Sequence, residues 1–269
     1  MEITKLLSES TAGCAFVPTM GALHAGHQSL ITKARQLCDQ VVVSVFVNPL
    51  QFEDKQDLVK YPKTPEQDAV LAKAAGATVL WTPDYETIYP TEIKKLLAGE
   101  IGNKFEGVNR PSHFDGVLTV VNRLFEIVKP RYAIFGEKDF QQLFLIRKMA
   151  EQFHPNIEII AAPTIRETSG LAMSSRNIRL DSDSRLAADA ISKVLFNATR
   201  AKSIADAKLE LNKISSEVRF KLDYAEIIDE ADFSIANDET LRPRAIIAGW
   251  INGVRLIDNI ALQPALVRI

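Results

Sequence analysis

The stretch Phe16-Val-Pro-Thr-Met-Gly-Ala-Leu-His-Ala-Gly-His27 decides the fold of this chain. The pattern predicts the end of a buried strand, a tight glycine-containing turn and the first turn of a helix. Such a helix start presents unpaired backbone N–H groups and the positive end of the helix dipole, so it is a ready site for an anion. Gly21 and Gly26 let a ligand approach the backbone closely, because no Cβ stands in the way.

Two of the four histidines in the chain, His24 and His27, lie on this turn. Imidazoles three residues apart on a first helical turn share one face and can donate hydrogen bonds to the same polyphosphate. The alternative is a pair of surface histidines beside an ordinary strand–helix turn, and the letters H-x-G-H alone leave it open. The apolar strand and the Pro-Thr-Met-Gly turn before them favour a phosphate site.

Composition narrows the class of protein. The chain has 269 residues, of which 46% are apolar, enough for one large or two modest domains. Its net charge of −2 gives no basic footprint for nucleic acid. Cys14 and Cys38 form neither a disulfide framework nor a metal-ligand spacing. The sequence has no signal-like segment and no apolar run of membrane-spanning length, so we expect a soluble cytoplasmic protein that binds neither nucleic acid nor membrane.

Strands and helices alternate in the first part of the chain. Residues 13–17 predict a strand, residues 28–38 a helix, and the β-branched run 41–47 a strand buried on both faces. This order is a right-handed βαβ unit of a parallel sheet, in which ligands gather beyond the carboxyl ends of the strands. Three later segments extend the predicted sheet: residues 79–81, 132–135 and 157–161.

Polar residues follow two more of these strands. Asn48 and Gln51 are amides, which recognise hydroxyl and carboxylate groups without adding charge, although this segment alone favours a turn-forming loop. Lys138, after the strand 132–135, is a compact positive charge for a phosphate. Asp139 beside it is a candidate helix cap or acceptor for a ribose hydroxyl. The alternative for this pair is an ordinary charged turn.

The second part of the chain has a different pattern of predicted helices and strands. Ser174, Ser175 and Arg176 lie in a small polar loop whose donors can follow phosphate charge, and the alternative is a linker between domains. Residues 182–199 and 204–222 predict two amphipathic helices. Alternating segments follow at residues 224–229, 245–251 and 254–257. Asn252-Gly253 between the last two predicts a hairpin, so we expect an α+β domain here.

Separate blocks, in order along the chain, resemble the pantoate–β-alanine ligase family of the HxGH nucleotidyltransferase superfamily. They are the histidine stretch, Asn48-Pro-Leu-Gln-Phe52, Arg110-Pro-Ser-His-Phe-Asp-Gly116, Gly136-Glu-Lys-Asp-Phe-Gln-Gln142, Met173-Ser-Ser-Arg-Asn177 and Arg255-Leu-Ile-Asp-Asn-Ile260. Ser112 replaces a glycine that is common in the family. The resemblance implies a Rossmann-like domain binding ATP and pantoate over residues 1–165. It also implies a smaller α+β domain over residues 166–269 that begins with the MSSRN phosphate loop.

The resemblance also implies a reaction and its residues. Pantoate would react with ATP to give pantoyl adenylate and pyrophosphate, and β-alanine would then displace AMP to give pantothenate. The implied catalytic residues are His24, His27, Lys138, Ser174, Ser175 and Arg176. The implied ATP-binding residues are Met20, Gly21, Ala22, Leu23, His24, Ala25, Gly26, His27, Gly136, Glu137, Lys138, Asp139, Ile165, Met173, Ser174, Ser175 and Arg176.

Asn48, Gln51 and Gln142 are the residues that the resemblance assigns to the substrates. It further implies Mg²⁺ as a companion of ATP, with Asp68 as a candidate ligand, and a homodimer. The acid that usually neighbours Asp68 in the family is a glutamine here, Gln67. His113 could contact a ligand or form a structural hydrogen bond at the start of the helix that follows. The sequence favours the structural role, because a loop before a helix must satisfy many backbone groups.

Two other functions stay open at this point. One is a nucleotidyltransferase of the same superfamily that leaves AMP or CMP on a phosphorylated small molecule. The neutral pair Gln51 and Gln142 argues against it, since a phosphate acceptor calls for cations. The other is a catalytically silent nucleotide-binding protein, against which the complete histidine, lysine and serine–arginine set argues. The Walker A and G-x-G-x-x-G patterns are both absent, which disfavours a P-loop kinase and an ordinary dehydrogenase.

Overall fold

The computed structural model describes residues 1–8, 11–52, 58–92 and 94–263. Its internal contacts divide the chain into two compact units. The first unit contains the residues up to Glu137 together with Gln141–Pro163. The second unit contains Lys138–Phe140 and the residues from Thr164 onward. A single stretch of chain around Lys138 therefore belongs to the second unit, although the residues on both sides of it belong to the first.

The first unit is built on a parallel sheet of six strands in the order β1-β4-β3-β2-β5-β6. The strands are β1 (Glu2–Thr4), β2 (Ala15–Thr19), β3 (Val41–Val45), β4 (Val79–Trp81), β5 (Tyr132–Gly136) and β6 (Glu158–Ala162). Every neighbouring pair is parallel. The predicted α/β fold is confirmed. The edge strand β1 was not predicted, because it has only three residues and its apolar residue Ile3 is exposed.

Helices connect these strands. The longer ones are α1 (Ala25–Leu37), α2 (Pro65–Ala75), α3 (His113–Val128) and α4 (Phe140–Phe153). Single-turn helices cover Tyr85–Ile88, Gly99–Gly102 and Glu106–Asn109, and 3₁₀ turns cover Pro49–Gln51 and Glu137–Asp139. Helix α1 begins at Ala25, three residues earlier than predicted, because His24 caps it.

The apolar runs of the sequence form the interior of the first unit. Val41, Val42 and Val43 of β3 have no exposed surface, as expected for a strand covered on both faces. Ile31 and Ala34 of α1 pack in the same cluster as β2 and β3. This packing fixes the amino end of α1 at the carboxyl end of β2, which is where ligands bind in open parallel sheets.

The second unit packs two helices against an antiparallel sheet of three strands in the order β7-β8-β9. Its elements are α5 (Ser182–Ala198), α6 (Ile204–Asn212), β7 (Lys221–Asp229), β8 (Pro243–Ile251) and β9 (Val254–Ala261), with 3₁₀ turns over Ser175–Arg179 and Lys213–Ser216. The predicted α+β character is confirmed, and so is the hairpin. Asn252 and Gly253 have φ of 47° and 73°, which a two-residue type I′ turn requires.

One helix of the second unit is shorter than predicted. The sequence predicts helix over residues 204–222, whereas α6 ends at Asn212 and the chain enters β7 at Lys221. Strand pairing replaces the predicted helix from Lys221 onward, because β7 pairs antiparallel with β8 over its whole length, with one register shift between Leu222 and Tyr224. Tertiary pairing of this kind overrides a weak local preference.

Candidate active site

The two histidines form a cap on helix α1. His24 is the N-cap residue, and its Nδ1 accepts a hydrogen bond from the backbone N–H of Gly26 at 3.1 Å. His27 Nδ1 in turn accepts from the backbone N–H of His24 at 3.3 Å. Their ring centroids are 4.1 Å apart. This reciprocal capping box is usually built from Ser or Thr and Glu, and histidines replace both here.

The cap fixes the tautomer of both imidazoles. A backbone N–H can only donate, so each Nδ1 that receives one must be the unprotonated nitrogen of a neutral ring. The ring proton therefore lies on Nε2 in both His24 and His27. Two neutral Nε2–H donors on adjacent rings are suited to phosphate oxygens at a helix start.

The turn before the cap is held by a buried carboxylate. Asp68 is 2% exposed and lies in the first turn of α2. Its Oδ2 accepts from the backbone N–H of Ala22 at 3.1 Å, and its Oδ1 accepts from that of Leu23 at 2.8 Å. The hydroxyl of Thr64 also donates to Oδ1, at 3.0 Å. Asp68 thus contacts the histidine turn directly, through its backbone.

Asn48 and Gln51 form a neutral network at the end of β3. Asn48 Oδ1 accepts from the backbone N–H of Leu50 at 3.2 Å, and Asn48 Nδ2 donates to the carbonyl of Gly116 at 3.0 Å. Because one backbone group donates and the other accepts, they assign the oxygen and the nitrogen of the Asn48 amide. Nδ2 also donates to Gln51 Oε1 at 3.2 Å. Gln51 therefore turns its NH₂ group away from Asn48, and this group donates to Met20 Sδ at 3.0 Å.

Tyr89 completes this network, and the sequence did not single it out. Its hydroxyl donates to Asn48 Oδ1 at 2.9 Å. Tyr89 is 5% exposed, and burial raises the pKa of its hydroxyl, so the group stays a protonated donor at neutral pH. Nothing in the local Tyr-Pro sequence indicates that Tyr89 binds Asn48. The contact is visible only in the structure, because the two residues are 41 positions apart.

His113 has the structural role that the sequence favoured. It is 7% exposed, and its Nδ1 lies 3.0 Å from the backbone oxygen of Gln51. Gly116, one turn later on α3, passes so close that an added Cβ would lie 2.2 Å from the backbone oxygen of Leu50. Helix α3 therefore fixes the backbone of the 3₁₀ turn that carries Gln51.

Gln141 and Gln142 follow one another on α4 but differ in surroundings. Gln141 is 5% exposed and donates to the carbonyls of Ile101 and Lys104 at 2.7 and 2.9 Å. It is a structural residue that holds the segment before α3. Gln142 is half-buried. The assignment of Gln142 to substrate stays a prediction.

In the second unit, Lys138 is held by its backbone. Asn259 Nδ2 donates to the carbonyl of Lys138 at 2.8 Å, and Arg244 donates to Asn259 Oδ1 at 2.6 Å. The Lys138 side chain is 19% exposed, with Nζ 3.9 Å from a carboxylate oxygen of the half-exposed Asp139. Asn259, which lies in a family-like block without an assigned role, and Arg244, which the sequence did not single out, orient the segment that carries the candidate lysine.

The serine–arginine loop is anchored at both ends. Ser174 caps the 3₁₀ turn by accepting from the backbone N–H of Arg176 at 3.2 Å. Buried Asn177 donates to the Ala172 carbonyl at 3.1 Å and to Glu167 at 2.8 Å. Upstream of this loop, Arg166 donates two hydrogen bonds to Asp258, at 2.6 and 3.0 Å.

Asp258 is almost fully buried against this arginine. Burial raises the pKa of Asp258, and the two hydrogen bonds and the charge of Arg166 offset part of that rise. Asp258 and Asn259 are neighbours on β9. One strand therefore holds both the Arg166 side chain, upstream of the serine–arginine loop, and the backbone of Lys138.

The remaining groups offer little for covalent or metal chemistry. Burial raises the pKa of the Cys14 thiol to about 12, so it is not a nucleophile at neutral pH. Among the residues that the structure describes, no cluster of three or more His, Cys, Asp or Glu side chains could hold a metal ion. Within the same residues, no helix is long and apolar enough to cross a membrane.

The predicted site residues divide between the two units. The first unit holds Met20, Gly21, Ala22, Leu23, His24, Ala25, Gly26, His27, Asn48, Gln51, Asp68, Gly136, Glu137 and Gln142. There, the structure links the histidine turn to Asp68, and Met20 to Gln51 and Asn48. The second unit holds Lys138, Asp139, Ile165, Met173, Ser174, Ser175 and Arg176. There, the Met173 N–H donates to the Ile165 carbonyl at 2.9 Å.

Comparisons with known proteins agree with one another. A family model described as pantoate-beta-alanine ligase matches residues 1–261. A protein from Acidothermus cellulolyticus named pantothenate synthetase is 43% identical over 264 residues, which are 95% of this chain and 87% of the relative. A protein of the same name from Hahella chejuensis is 44% identical over 258 residues, which are 92% of this chain and 90% of that one.

Two solved structures are similar over nearly the whole chain. The crystal structure of pantothenate synthetase from Thermus thermophilus gives a TM-score of 0.91 at 37% identity, covering 97% of this chain and 99% of that chain. Pantoate-beta-alanine ligase from Francisella tularensis gives a TM-score of 0.79 at 38% identity, covering 97% of each chain. That second structure is a complex with "Beta-gamma ATP and Beta-alanine".

A parallel sheet with a histidine-capped helix at the carboxyl end of its inner strand defines the class, a nucleotide-binding α/β enzyme. The family model, which matches residues 1–261, identifies the protein more specifically than the fold and the site do. The chain belongs to the pantoate–β-alanine ligase family, whose members join pantoate to β-alanine.

Proposed function

We propose that this enzyme uses ATP to condense pantoate with β-alanine, through a pantoyl-adenylate intermediate. The observation that carries the proposal is the capping box, which presents two neutral Nε2–H donors at a helix start. Family membership supports the two acceptor substrates, and the ATP complex of the Francisella tularensis relative supports the nucleotide.

In the first step, a carboxylate oxygen of pantoate attacks the α-phosphorus of ATP. A new P–O bond forms, the bond to the β-phosphate oxygen breaks, and pyrophosphate leaves with the bonding pair. His24 and His27 donate hydrogen bonds to phosphate oxygens, and Lys138, Ser174, Ser175 and Arg176 stabilise the moving negative charge. The leaving phosphate receives a hydrogen bond from His27 without proton transfer, because the neutral ring whose Nδ1 accepts from the His24 N–H keeps its Nε2 proton.

In the second step, the amine of β-alanine attacks the acyl carbon of the adenylate. The C–N bond forms, the C–O bond to AMP breaks, and the nitrogen loses a proton. Gln51 acts by orientation, because Asn48 fixes the polarity of its amide. One N–H of its NH₂ group donates to Met20 Sδ, and we assign the other to pantoate oxygens. Gln142 is the second pantoate residue. Catalysis then depends on position and electrostatics, with no covalent enzyme intermediate.

The remaining ATP contacts belong to backbone and apolar groups. Met20 and the backbone around Gly136 and Ile165 would hold the nucleoside. We assign ATP and pantoate binding to the domain of residues 1–165. The α+β domain of residues 166–269 contributes the MSSRN phosphate loop. We also infer a cytoplasmic homodimer, for which light scattering in solution should return twice the 29.9 kDa of one chain.

Mg²⁺ accompanies ATP in this proposal and supplies neutralisation of phosphate charge. The donor set does not fit a site built by protein ligands. Among the described residues there is no cluster of three or more His, Cys, Asp or Glu groups. The candidate Asp68 already accepts three hydrogen bonds from protein donors. The Mg²⁺ ion would therefore be carried by ATP oxygens.

One assay with the purified enzyme tests the proposal. Pantoate and ATP alone should release pyrophosphate, and AMP should appear only when β-alanine is added. Pyrophosphate release that needs a phosphorylated acceptor, with AMP retained on the product, would indicate a nucleotidyltransferase instead. ATP binding without any pyrophosphate release under either condition would indicate a silent nucleotide-binding protein.

A further inference from the structure

The turn that precedes the histidine cap has an unusual backbone. Gly21 has φ of +83°, and Ala22 next to it has φ of +50°, a left-handed value that alanine rarely adopts. Two such residues in a row turn the chain sharply between β2 and α1. A conformation of this kind persists only where the surroundings hold it.

Asp68 is what holds it. Its two carboxylate oxygens accept from the consecutive backbone N–H groups of Ala22 and Leu23, so the carboxylate spans the turn. Its own helix is fixed in place, because the Asp68 N–H donates to the Thr64 carbonyl at 2.8 Å and the Thr64 hydroxyl donates to Oδ1. A Cβ added to Gly21 would lie 2.9 Å from Asp68 Oδ2, so the carboxylate leaves no room for a side chain at this position.

We propose that Asp68 is a positioning residue, which clasps the turn of residues 21–23 and thereby sets the direction of His24 and His27. The inference rests on the proposed function, since it gives that orientation a purpose. Leu23 is the residue immediately before the N-cap His24. A change in the direction of the Leu23 N–H therefore moves the backbone from which both imidazoles project.

This role replaces the alternative of Asp68 as a magnesium ligand. Oδ1 accepts two hydrogen bonds and Oδ2 accepts one, and the group is 2% exposed. A carboxylate that binds Mg²⁺ in proteins usually shares the ion with waters and phosphate oxygens, which need open space beside it. Closely bonded backbone on one side and Thr64 on the other make Asp68 suited to fixing protein geometry.

Amide hydrogen exchange on the ligand-free enzyme tests the clasp without any turnover. In Asp68→Asn, an NH₂ group replaces one of the two acceptor oxygens and faces a backbone N–H. The peptide that contains residues 21–23 should then exchange about tenfold faster than in the wild type. A peptide from residues 225–228 of β7 serves as the internal control and should not change. Unaltered exchange at residues 21–23 would overturn the proposal.

Kinetics separate the clasp from a metal site. For Asp68→Asn we expect kcat to fall about tenfold, with the Mg²⁺ concentration for half-activation unchanged within about twofold. If excess Mg²⁺ restored the activity, Asp68 would be a metal ligand and the proposal would fail. Asp84→Asn is the matched control, because Asp84 also accepts from a backbone N–H and a threonine hydroxyl, both of Thr87. It should keep wild-type activity.

Thr64 supplies a second, milder variant in case Asp68→Asn does not fold. Thr64→Val removes the hydroxyl that donates to Oδ1, and both the exchange rate of residues 21–23 and kcat should change about threefold. Thr64→Ser keeps the hydroxyl and should restore both readouts. Equal behaviour of the valine and serine variants contradicts the clasp. Absence of pantoate-dependent pyrophosphate release in the wild type would refute the proposed function instead, and would leave the exchange result standing.

Discussion

The two units each contain a buried aspartate, and the two are held differently. Asp68 in the first unit is satisfied by neutral donors, two backbone N–H groups and a hydroxyl. Asp258 in the second unit is satisfied by the guanidinium of Arg166, which donates to both of its oxygens. Both carboxylates are at most 3% exposed. The first fixes the conformation of a turn, whereas the second pairs charges across 92 positions of sequence.

The same division extends to the neighbours of each carboxylate. In the first unit, Asn48, Gln51 and Tyr89 form a network of neutral groups whose polarity is set by backbone atoms. In the second unit, Arg244 donates to both Glu230 and Asn259. Neutral networks tolerate the loss of one bond, while a buried ion pair that loses one partner leaves an uncompensated charge. The comparison therefore predicts larger stability effects in the second unit.

The largest effect is expected for Asp258→Asn. The change keeps the shape of the side chain and leaves the Arg166 guanidinium, 17% exposed, without its negative partner. We expect the free energy of unfolding to fall by about 3 kcal/mol or more, measured by chemical denaturation. The control is Asp183→Asn, which breaks the exposed pair with Arg219 in the same unit. It should cost less than about 1 kcal/mol. Similar losses in the two variants would break the comparison.

The next largest effect is expected on turnover, for variants that remove either a cation or a neutral donor. Lys138→Ala and His27→Ala should each lower kcat/KM by about a hundredfold or more, or about 3 kcal/mol, because each removes a donor to phosphate charge. The assay is pantoate-dependent pyrophosphate release. Lys148→Ala on α4, whose side chain is 58% exposed, is the control for loss of a lysine and should match the wild type. Near-normal turnover in both variants would reject the assigned roles.

A smaller loss is expected where the ionic network holds the Lys138 backbone. Asn259→Asp keeps an acceptor for Arg244 and removes the NH₂ group that donates to the Lys138 carbonyl. We expect kcat to fall about tenfold while the KM for ATP changes little, because the lysine is displaced and not removed. Asn197→Asp on the exposed face of α5 is the matched control and should be silent. A fall in stability without any change in kcat would assign Asn259 a purely structural role.

The sequence predicted the sheet, the hairpin and the histidine turn, because local patterns determine them. An apolar β-branched run, an Asn-Gly pair and H-x-G-H are each contained within a few residues. The end of α6 was wrong by ten residues, since pairing between β7 and β8 decides it and no local pattern reports that pairing.

The supporting residues of the site could not be predicted for the same reason. Tyr89, Asp258 and Asn259 act on partners 41, 92 and 121 positions away. Asp68 was singled out, as a metal ligand, because a carboxylate near a phosphate site suggests a cation. Only its contacts with Ala22 and Leu23 indicate the clasp. Sequence thus signals the groups that would meet substrate better than the groups that orient them.

The smallest effect is expected in the neutral network, for Tyr89→Phe. The change removes one of two donors to Asn48 Oδ1, while the Leu50 N–H and the Gly116 carbonyl still fix the amide. A single hydrogen bond is worth about 1 kcal/mol, so the KM for pantoate should rise about fivefold with kcat nearly unchanged.

Tyr85→Phe, four residues earlier, is the matched control for that change. The two rings pack edge to face at 5.0 Å, but Tyr85 is 46% exposed. Its variant should bind pantoate normally. A Tyr89→Phe enzyme that loses as much stability as Asp258→Asn would show that neutral and ionic networks are equally sensitive to the loss of one bond. An increase in KM confined to Tyr89→Phe would instead show that the amide polarity of Gln51 acts on pantoate, because the ring packing that the two tyrosines share is kept in both variants.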